Sequence, residues 1–305
     1  MSKIPRYLKK GDTIGLVAPA GFMAIEKLQA CIETLDGWGY TVKMGTTTHS
    51  DSTSYFSGTD DERLADLQEM LDDHKVKAIL CVRGGYGTSR IIDRIDFKKF
   101  RKHPKWIIGF SDITVLQAHL LANYKIASLH APMASAFSED PLNNIFIQSW
   151  KDAVEGKPAH YECAPHALNR TGEAKGQLVG GNLTMLAHLI GTPSDVKTKK
   201  RILFLEDVGE YLYNLDRMML QLKRSGKLRH LAGLVVGGFT DVKDTERPFG
   251  KTAYDIIFEH VDEGSFPVCF GFPVSHEKEN YALKVGMKYH LQVSADRVSL
   301  IDHYV

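Results

Sequence analysis

The chain of 305 residues has almost no excess charge and little cysteine, and these absences exclude several classes of protein. Its 38 lysine and arginine residues stand against 37 aspartate and glutamate residues, which gives a formal charge of +1. The basic residues are scattered among acidic ones, so we predict no nucleic-acid partner. Only four cysteines are present and none forms a Cys-X-X-Cys pair, which argues against a disulfide framework.

The sequence also lacks a segment that would attach it to a membrane or export it. Residues 1–10 carry basic side chains, but no apolar stretch ending in a small-residue cleavage site follows them, which predicts a cytoplasmic protein. The longest weakly polar run, residues 14–25, contains Pro19 and falls short of the roughly 18 residues that a spanning helix needs. We therefore expect no membrane partner.

Metal and nucleotide motifs are missing in the form that their chemistry requires. The segment 276–280 resembles a zinc motif, but an asparagine stands at the second ligand position. The glycine-rich segment 84–90 lacks the third glycine of a dinucleotide fingerprint, and Lys105 stands where an acid would bind ribose. Residues 250–252 resemble the end of a phosphate-binding loop whose first glycine is replaced by Thr245. We predict neither a metal nor a cofactor.

The first half of the chain alternates short β-rich runs with amphipathic stretches, which is typical of βαβ units around a parallel sheet. The predicted strands are 13–18, 41–45, 78–82, 106–109 and 127–130. The predicted helices are 23–38, 62–73, 89–95 and 112–124. This pattern predicts an α/β fold with a doubly wound, flavodoxin-like parallel sheet in an N-terminal domain, residues 1–140.

The second half has a mixed pattern. Residues 141–172 are polar and contain prolines, so they are interpreted as an interdomain connection with a helix near 145–154. A smaller, mixed α+β domain is predicted over residues 173–305, with a helix at 211–225. Its predicted strands are 174–179, 201–205, 233–237 and 267–271, followed by a closing antiparallel meander of 282–287, 289–294 and 297–301.

Ser111 is a candidate nucleophile because it lies where an apolar strand gives way to a predicted helix. The turn resembles a nucleophile elbow, although Ile113 replaces the later glycine of that motif. A helix N-cap is the alternative role for this serine. In either role the Asp112 amide points outward, and with the amide of Gly85 in the preceding glycine turn it would form an oxyanion hole.

Glu206 and His276 each follow a predicted strand of the second half and are candidates for the rest of a catalytic triad. A serine hydroxyl needs an imidazole to accept its proton, and the imidazole needs a third group to hold it. A loop role for the histidine and a solvated role for the acid remain as alternatives, with Asp207 and Glu210 close to Glu206 in sequence. Spacing alone does not decide between these roles.

Six segments in this order resemble the LD-carboxypeptidase family of serine peptidases, over nearly the whole chain. They are residues 11–20, 82–87, 108–114, 180–183, 205–211 and 274–276. The resemblance implies a Ser111, Glu206 and His276 triad, with an oxyanion hole from the Asp112 amide and a glycine amide of the turn. It also implies a cytoplasmic homodimer. One departure is Ser275, because the residue before the histidine is often glycine in this family.

The family includes muramoyltetrapeptide carboxypeptidases and microcin C immunity peptidases. The resemblance therefore implies a serine carboxypeptidase that cuts the bond between an L-centre and D-alanine in murein tetrapeptides during peptidoglycan recycling. Arg83 is a candidate for binding the terminal carboxylate and Asn182 for another substrate contact, with a surface role and a helix N-terminal role as their alternatives. Two other functions remain open: hydrolysis of peptidyl- or aminoacyl-nucleotides, and binding of murein fragments without cleavage.

Overall fold

A computed structural model describes residues 2–138 and 140–302 and divides the chain into two compact units. The division falls between Lys157 and Pro158, and the later segment Tyr281–Lys284 belongs to the first unit. The predicted connection 141–172 is therefore shared between the units. Its helix Ile145–Glu155 buries apolar side chains in the first unit, and its strand His160–Cys163 pairs in the sheet of the second.

The described residues form thirteen strands in two sheets. In chain order they are β1 (Thr13–Val17), β2 (Thr41–Met44), β3 (Val76–Cys81), β4 (Trp106–Gly109), β5 (Ser128–His130), β6 (His160–Cys163), β7 (Gly172–Asn182), β8 (Arg201–Val208), β9 (Gly233–Thr240), β10 (Val268–Phe270), β11 (Leu283–Val285), β12 (Lys288–Val293) and β13 (Val298–Asp302).

Nine α-helices connect these strands within the described residues. They are α1 (Gln29–Gly37), α2 (Asp60–Asp72), α3 (Thr88–Ile91), α4 (Lys98–Lys102), α5 (Thr114–His119), α6 (Ile145–Glu155), α7 (Leu183–His188), α8 (Leu212–Arg224) and α9 (Ala253–Val261). Short 3-10 turns occupy Ile25–Leu28, Thr46–His49, Ile92–Arg94, Ser111–Ile113 and Ala134–Ser138, and a π-helical turn, Leu120–Tyr124, follows α5. Within residues 2–138 and 140–302, no helix is long and apolar enough to cross a membrane.

The sheet of the first unit confirms the doubly wound fold predicted from the alternating pattern. Its strand order is β11-β5-β4-β3-β1-β2, and the pairs among β1 to β5 are all parallel. Strands β3 and β4 are buried almost throughout, as their continuous apolar runs predict for a parallel sheet covered on both faces. The strand order reverses between β1 and β3, and in such sheets ligands bind beyond the carboxyl ends of the strands near this reversal.

The sheet of the second unit is half parallel and half antiparallel. Strands β10, β9, β8 and β7 are parallel neighbours, and β7, β12, β13 and β6 continue the sheet in antiparallel pairs. The predicted closing meander of three strands is wrong in one respect, because β11 lies beside β5 in the other sheet. Of the three predicted strands, only β12 and β13 pair with each other, and the alternating burial of β12 is typical of a sheet with one covered face.

Candidate active site

Ser111 sits at a strained turn between β4 and α5. Its φ of 62° is in the left-handed region, and it opens the short 3-10 turn that precedes the helix. This conformation costs a residue with a side chain about 1–2 kcal/mol, so it persists only where the surroundings fix it. The N-cap positions are occupied by Phe110 and Ile113, which leaves the alternative cap role of Ser111 without support. The geometry is that of a nucleophile elbow.

The glycine turn after β3 approaches this serine closely. A Cβ atom placed on Gly84 would lie 3.0 Å from Ser111 Cβ, 3.2 Å from Ser111 Oγ and 3.4 Å from the Asp112 nitrogen. Glycine at position 84 therefore lets the backbone come this near, whereas a side chain there would displace its neighbours by a few tenths of an ångström. The next residue, Gly85, faces the Tyr55 hydroxyl, 2.7 Å from the place its Cβ would take. Its assignment as an oxyanion donor stays a prediction.

The side chain of Asp112 holds the elbow and the glycine turn together. It is 1% exposed, and its Oδ2 atom accepts a hydrogen bond of 2.8 Å from the amide of Thr88, the first residue of α3. Burial raises the pKa of Asp112, while hydrogen bonds from Thr88 oppose the rise. Because the side chain is used structurally, the candidate oxyanion group of this residue is its backbone amide.

Arg83 lies exposed at the start of the glycine turn. Its Nη1 atom donates a hydrogen bond to the carbonyl of Phe22, and the Gly84 carbonyl accepts one of 3.0 Å from the amide of Gly21. The loops after β1 and β3 are thus joined near the reversal of strand order. An exposed guanidinium in this position is able to bind a carboxylate, which is the role predicted for Arg83.

In the second unit, His276 and Glu206 form a direct hydrogen-bonded pair. The His276 Nδ1 atom lies 2.6 Å from Glu206 Oε2, and the Glu206 side chain is fully buried. The register of β8 against β9 is irregular between Leu205 and Asp207, which places Glu206 at a bulge. Bulges redirect side chains near active sites. The predicted pairing of these two residues is therefore present in the structure.

Burial and charge act in opposite directions on this pair. Burial lowers the pKa of His276, but the hydrogen bond and negative charge of Glu206, with the charge of Asp207, outweigh it and raise that pKa above its ordinary value. Burial raises the pKa of Glu206, and the hydrogen bond and charge of His276 oppose the rise. A carboxylate at Nδ1 fixes the tautomer in which Nε2 is the nitrogen that accepts a proton.

A polar network lies at the start of α7, next to Glu206. Asn182, which pairs with Glu206 in the β7–β8 register, donates to Asp207 Oδ1 at 2.7 Å and accepts from the amide of Met185 at 3.1 Å. Asp207 also accepts from the amide and hydroxyl of Thr184, at 2.9 and 2.8 Å. Asn182 therefore has the helix N-terminal role that was its alternative, and its predicted substrate contact stays a prediction.

The loop that carries His276 is organised by the residue that departs from the family pattern. The Ser275 hydroxyl donates to the Glu279 carbonyl and accepts from the amide of Glu277, both at 3.0 Å. The Val274 carbonyl accepts a hydrogen bond of 2.9 Å from the amide of Gly238 in β9. A glycine before the histidine would lack these two side-chain hydrogen bonds, so Ser275 stabilises the loop by contacts that glycine does not make.

Each of the two units matches a known protein family model. The family described as LD-carboxypeptidase N-terminal domain matches residues 14–131, and its C-terminal counterpart matches residues 175–291. The chain belongs to the LD-carboxypeptidase family. It is an enzyme that acts as a carboxypeptidase, so the alternative of a murein-binding module without catalysis does not hold.

Three similar proteins illustrate the range of the family. A probable murein peptide carboxypeptidase of Bacillus subtilis is 36% identical, over 98% of this chain and 94% of its own. The crystal structure of a muramoyltetrapeptide carboxypeptidase from Oxalobacter formigenes, 32% identical, matches 96% of this chain and 99% of its own with a TM-score of 0.85. The microcin C7 self-immunity protein MccF of Escherichia coli is 25% identical, over 98% of this chain and 95% of its own.

Two exposed tyrosines follow the Glu206 strand. Tyr211 and Tyr213 are 40% and 42% exposed, with ring centroids 5.5 Å apart, and the Lys243 and Arg217 cations lie 6.0 and 5.3 Å from the centroids of the Tyr211 and Tyr213 rings, respectively. Both rings are therefore partly accessible to a ligand.

Two residues with buried hydrogen bonds near the candidate catalytic groups, Thr184 and Gln117, were not among the sequence candidates. Their hydrogen bonds, of Thr184 with Asp207 and of Gln117 with the Gly109 and Leu129 carbonyls, depend on how helices and strands pack, so no local pattern signals them. Within the described residues, no three histidine, cysteine or acidic side chains are grouped so that they could hold a metal ion.

Proposed function

We propose that this enzyme is a serine-type LD-carboxypeptidase that removes the terminal D-alanine of murein tetrapeptides in peptidoglycan recycling. The observation that carries the proposal is the hydrogen bond of 2.6 Å between His276 Nδ1 and the fully buried carboxylate of Glu206. Such a pair prepares an imidazole to take a proton from a serine hydroxyl. The names of the Bacillus and Oxalobacter relatives support the substrate class.

In the proposed acylation step, Ser111 Oγ attacks the carbonyl carbon of the bond between the L-centre and D-alanine. His276 Nε2 takes the serine proton and then gives it to the amine of the departing D-alanine, while Glu206 stabilises the imidazolium. Water then attacks the acyl-enzyme with the same histidine as base. The remaining peptide leaves with a new carboxylate, and Ser111 regains its proton.

The backbone amides of Asp112 and Gly85 are the proposed donors to the oxyanion of each tetrahedral intermediate. Preorganised donors of this kind contribute about 10²–10³-fold to kcat. The strained turn at Ser111 and the close approach of the glycine turn support this role. The guanidinium of Arg83 is the proposed partner of the terminal D-alanine carboxylate, because a carboxypeptidase must recognise that charge.

The test is incubation of L-Ala-γ-D-Glu-meso-diaminopimelate-D-Ala with the purified enzyme and with its Ser111→Ala variant, followed by mass spectrometry. We expect the enzyme to release D-alanine and the variant to lose activity by at least about 10⁴-fold, with substrate affinity retained. Release of D-alanine by the variant at the rate of the enzyme would contradict the serine mechanism. An intact peptide with both proteins would contradict this substrate.

A second candidate function is hydrolysis of peptidyl- or aminoacyl-nucleotides. The exposed pair of Tyr211 and Tyr213 favours it, since a purine stacks well on an aromatic face, and the similarity to MccF is in keeping with it. Cleavage of an aminoacyl-nucleotide analogue with a kcat/KM above that for the tetrapeptide would assign this function. Two further predictions accompany the proposal, a cytoplasmic location and a homodimer, the latter measurable by sedimentation.

A further inference from the structure

A buried glutamine lies on the helix that follows the candidate nucleophile. Gln117 is 0% exposed and belongs to α5, all six residues of which are buried. Its Nε2 atom donates hydrogen bonds of 2.8 Å to the Gly109 carbonyl and 2.9 Å to the Leu129 carbonyl. A buried primary amide has two N–H donors, and here both are used on backbone carbonyls.

These two carbonyls lie at the carboxyl ends of neighbouring strands. Gly109 ends β4 and pairs in register with His130, while Leu129 pairs with Ile108, so the amide of Gln117 spans the β4–β5 boundary. The Gly109 carbonyl also accepts a weaker hydrogen bond of 3.3 Å from the amide of Ala131. Gln117 thus fixes the last residue of the strand, two positions before Ser111.

The strain at Ser111 gives this contact its importance. A left-handed residue with a side chain relaxes unless both its flanks are held. Gln117 connects the two flanks, because it belongs to the helix that begins directly after the turn and donates to the last residue of the strand before it. The turn itself contains a hydrogen bond of 3.2 Å from the Ile113 amide to the Phe110 carbonyl, and the Asp112 side chain accepts from the amide of Thr88 and so fixes the glycine turn.

We propose that Gln117 is a positioning residue that holds the Ser111 elbow in its reactive conformation. The inference rests on the proposed serine mechanism. It predicts that loss of the two hydrogen bonds lets the elbow relax and moves Ser111 Oγ away from its reactive position. Because misplacement by about 1 Å can cost about 10²-fold in rate, the effect belongs to the chemical step rather than to substrate binding.

The variants are Gln117→Met, which keeps an unbranched side chain that suits a helix, and Gln117→Glu, which keeps the shape. A buried glutamic acid has a raised pKa, so in its neutral form it retains one donor. Active sites are titrated with a fluorophosphonate, and the rate of acylation and kcat are expressed per titrated site. We expect kcat per site to fall about 10- to 100-fold in Gln117→Met with KM unchanged, and Gln117→Glu to lie between it and the wild type.

The matched control is Gln148→Met. Gln148 also donates its amide group to two backbone carbonyls, those of Pro141 and Leu142, but on α6. We expect its kcat per site to equal that of the wild type. If Gln117→Met does not fold, the test is the comparison of Gln117→Glu with the wild type, and we expect a lower kcat per titrated site in Gln117→Glu.

A purely structural role would lower the melting temperature and the titrated fraction while the rate per site stays the same, and this result would overturn the inference. Equal slowing in the Gln148→Met control would overturn it as well. Failure of the proposed function has a different signature: the fluorophosphonate would not label Ser111 in the wild type, as judged by mass spectrometry of the labelled peptide, and both proposals would fall together.

Discussion

The two groups of candidate catalytic residues are built in different ways. In the first unit the key features belong to the backbone: the left-handed φ of Ser111, the close approach of Gly84 and the amide of Asp112. In the second unit they belong to side chains, because a fully buried carboxylate holds the imidazole of His276. The first group depends on shape and the second on charge.

This difference predicts opposite sensitivities. A larger side chain beside the Ser111 turn, or the loss of hydrogen bonds that hold it, should disturb the turn, since its conformation is strained and is fixed by its neighbours. Changes of charge or pH should damage the histidine pair, since the pKa of His276 depends on a balance between burial and the charge of Glu206. The predictions that follow separate the two sensitivities.

The largest effect is expected for Glu206→Gln, which removes the charge and keeps the shape. By analogy with the loss of the orienting acid in other triads, kcat should fall by about 10⁴-fold. The pH profile should move as well. His276 must be neutral to accept a proton, so in the wild type kcat/KM rises with pH through a midpoint above the ordinary histidine value of about 6.5.

In Glu206→Gln the influences that raise the pKa of His276 are largely lost and the effect of burial remains, so the midpoint of the residual activity should shift to lower pH. The control is Glu173→Gln, which removes a carboxylate from an exposed pair with His290 in the same unit. A midpoint in Glu206→Gln that equals the wild-type value would show that the charge of Glu206 does not set the pKa of the catalytic base.

An intermediate effect is expected for Gly84→Ala, which changes shape and leaves every charge in place. The new methyl group would lie 3.0 Å from Ser111 Cβ and 3.2 Å from its Oγ, so the turn and the nucleophile must separate. We expect kcat to fall about 10²-fold, as for loss of one oxyanion donor, with the pH midpoint unchanged.

Gly37→Ala is the matched control, because a Cβ atom at Gly37 in α1 would meet nothing within 4 Å. Its activity should equal that of the wild type. Steady-state kinetics across the pH range measure both quantities. A shifted midpoint in Gly84→Ala at normal kcat would contradict the separation of shape from charge between the two groups.

Much of the fold was predictable because it follows from patterns among residues that are close in sequence. The buried strands β3 and β4 appear as apolar runs, and Ser111 lies two residues after β4, where a strand gives way to a helix. The family motifs added the residues of the candidate triad. These signals depend on neighbours in sequence, and a single chain displays them in full.

The remainder depends on contacts between distant residues. β11 pairs beside β5 because of tertiary packing, and a strand of only three residues, Leu-Lys-Val, does not indicate in sequence which sheet it joins. The bulge at Glu206 depends on the register of β8 against β9. In the sequence Gln117 looks like an ordinary polar residue of a helix. Its role depends on the carbonyls of Gly109 and Leu129, which only the folded chain places beside it.

The smallest effect is expected for Ser275→Ala. This variant tests whether the conformation of the His276 loop matters to catalysis in addition to the charge of Glu206. The variant loses the hydrogen bonds to Glu279 and Glu277, and each contributes about 0.5–1.5 kcal/mol. If this free energy holds the loop in its catalytic conformation, kcat should fall about 10-fold, since about 1.4 kcal/mol corresponds to a factor of 10.

Ser294→Ala provides the control, because the Ser294 hydroxyl also accepts from a backbone amide, that of Arg297, and lies within donating distance of the Arg297 carbonyl and of Asp296 Oδ1, in the turn between β12 and β13. Both variants should lose a few degrees of melting temperature, as about 1–2 kcal/mol implies for a domain of this size. Only Ser275→Ala should also lose kcat, and its pH midpoint should stay at the wild-type value because Glu206 is untouched. Equal kcat in the two variants would mean that the hydroxyl of Ser275 serves folding alone, and that charge by itself accounts for the position of His276.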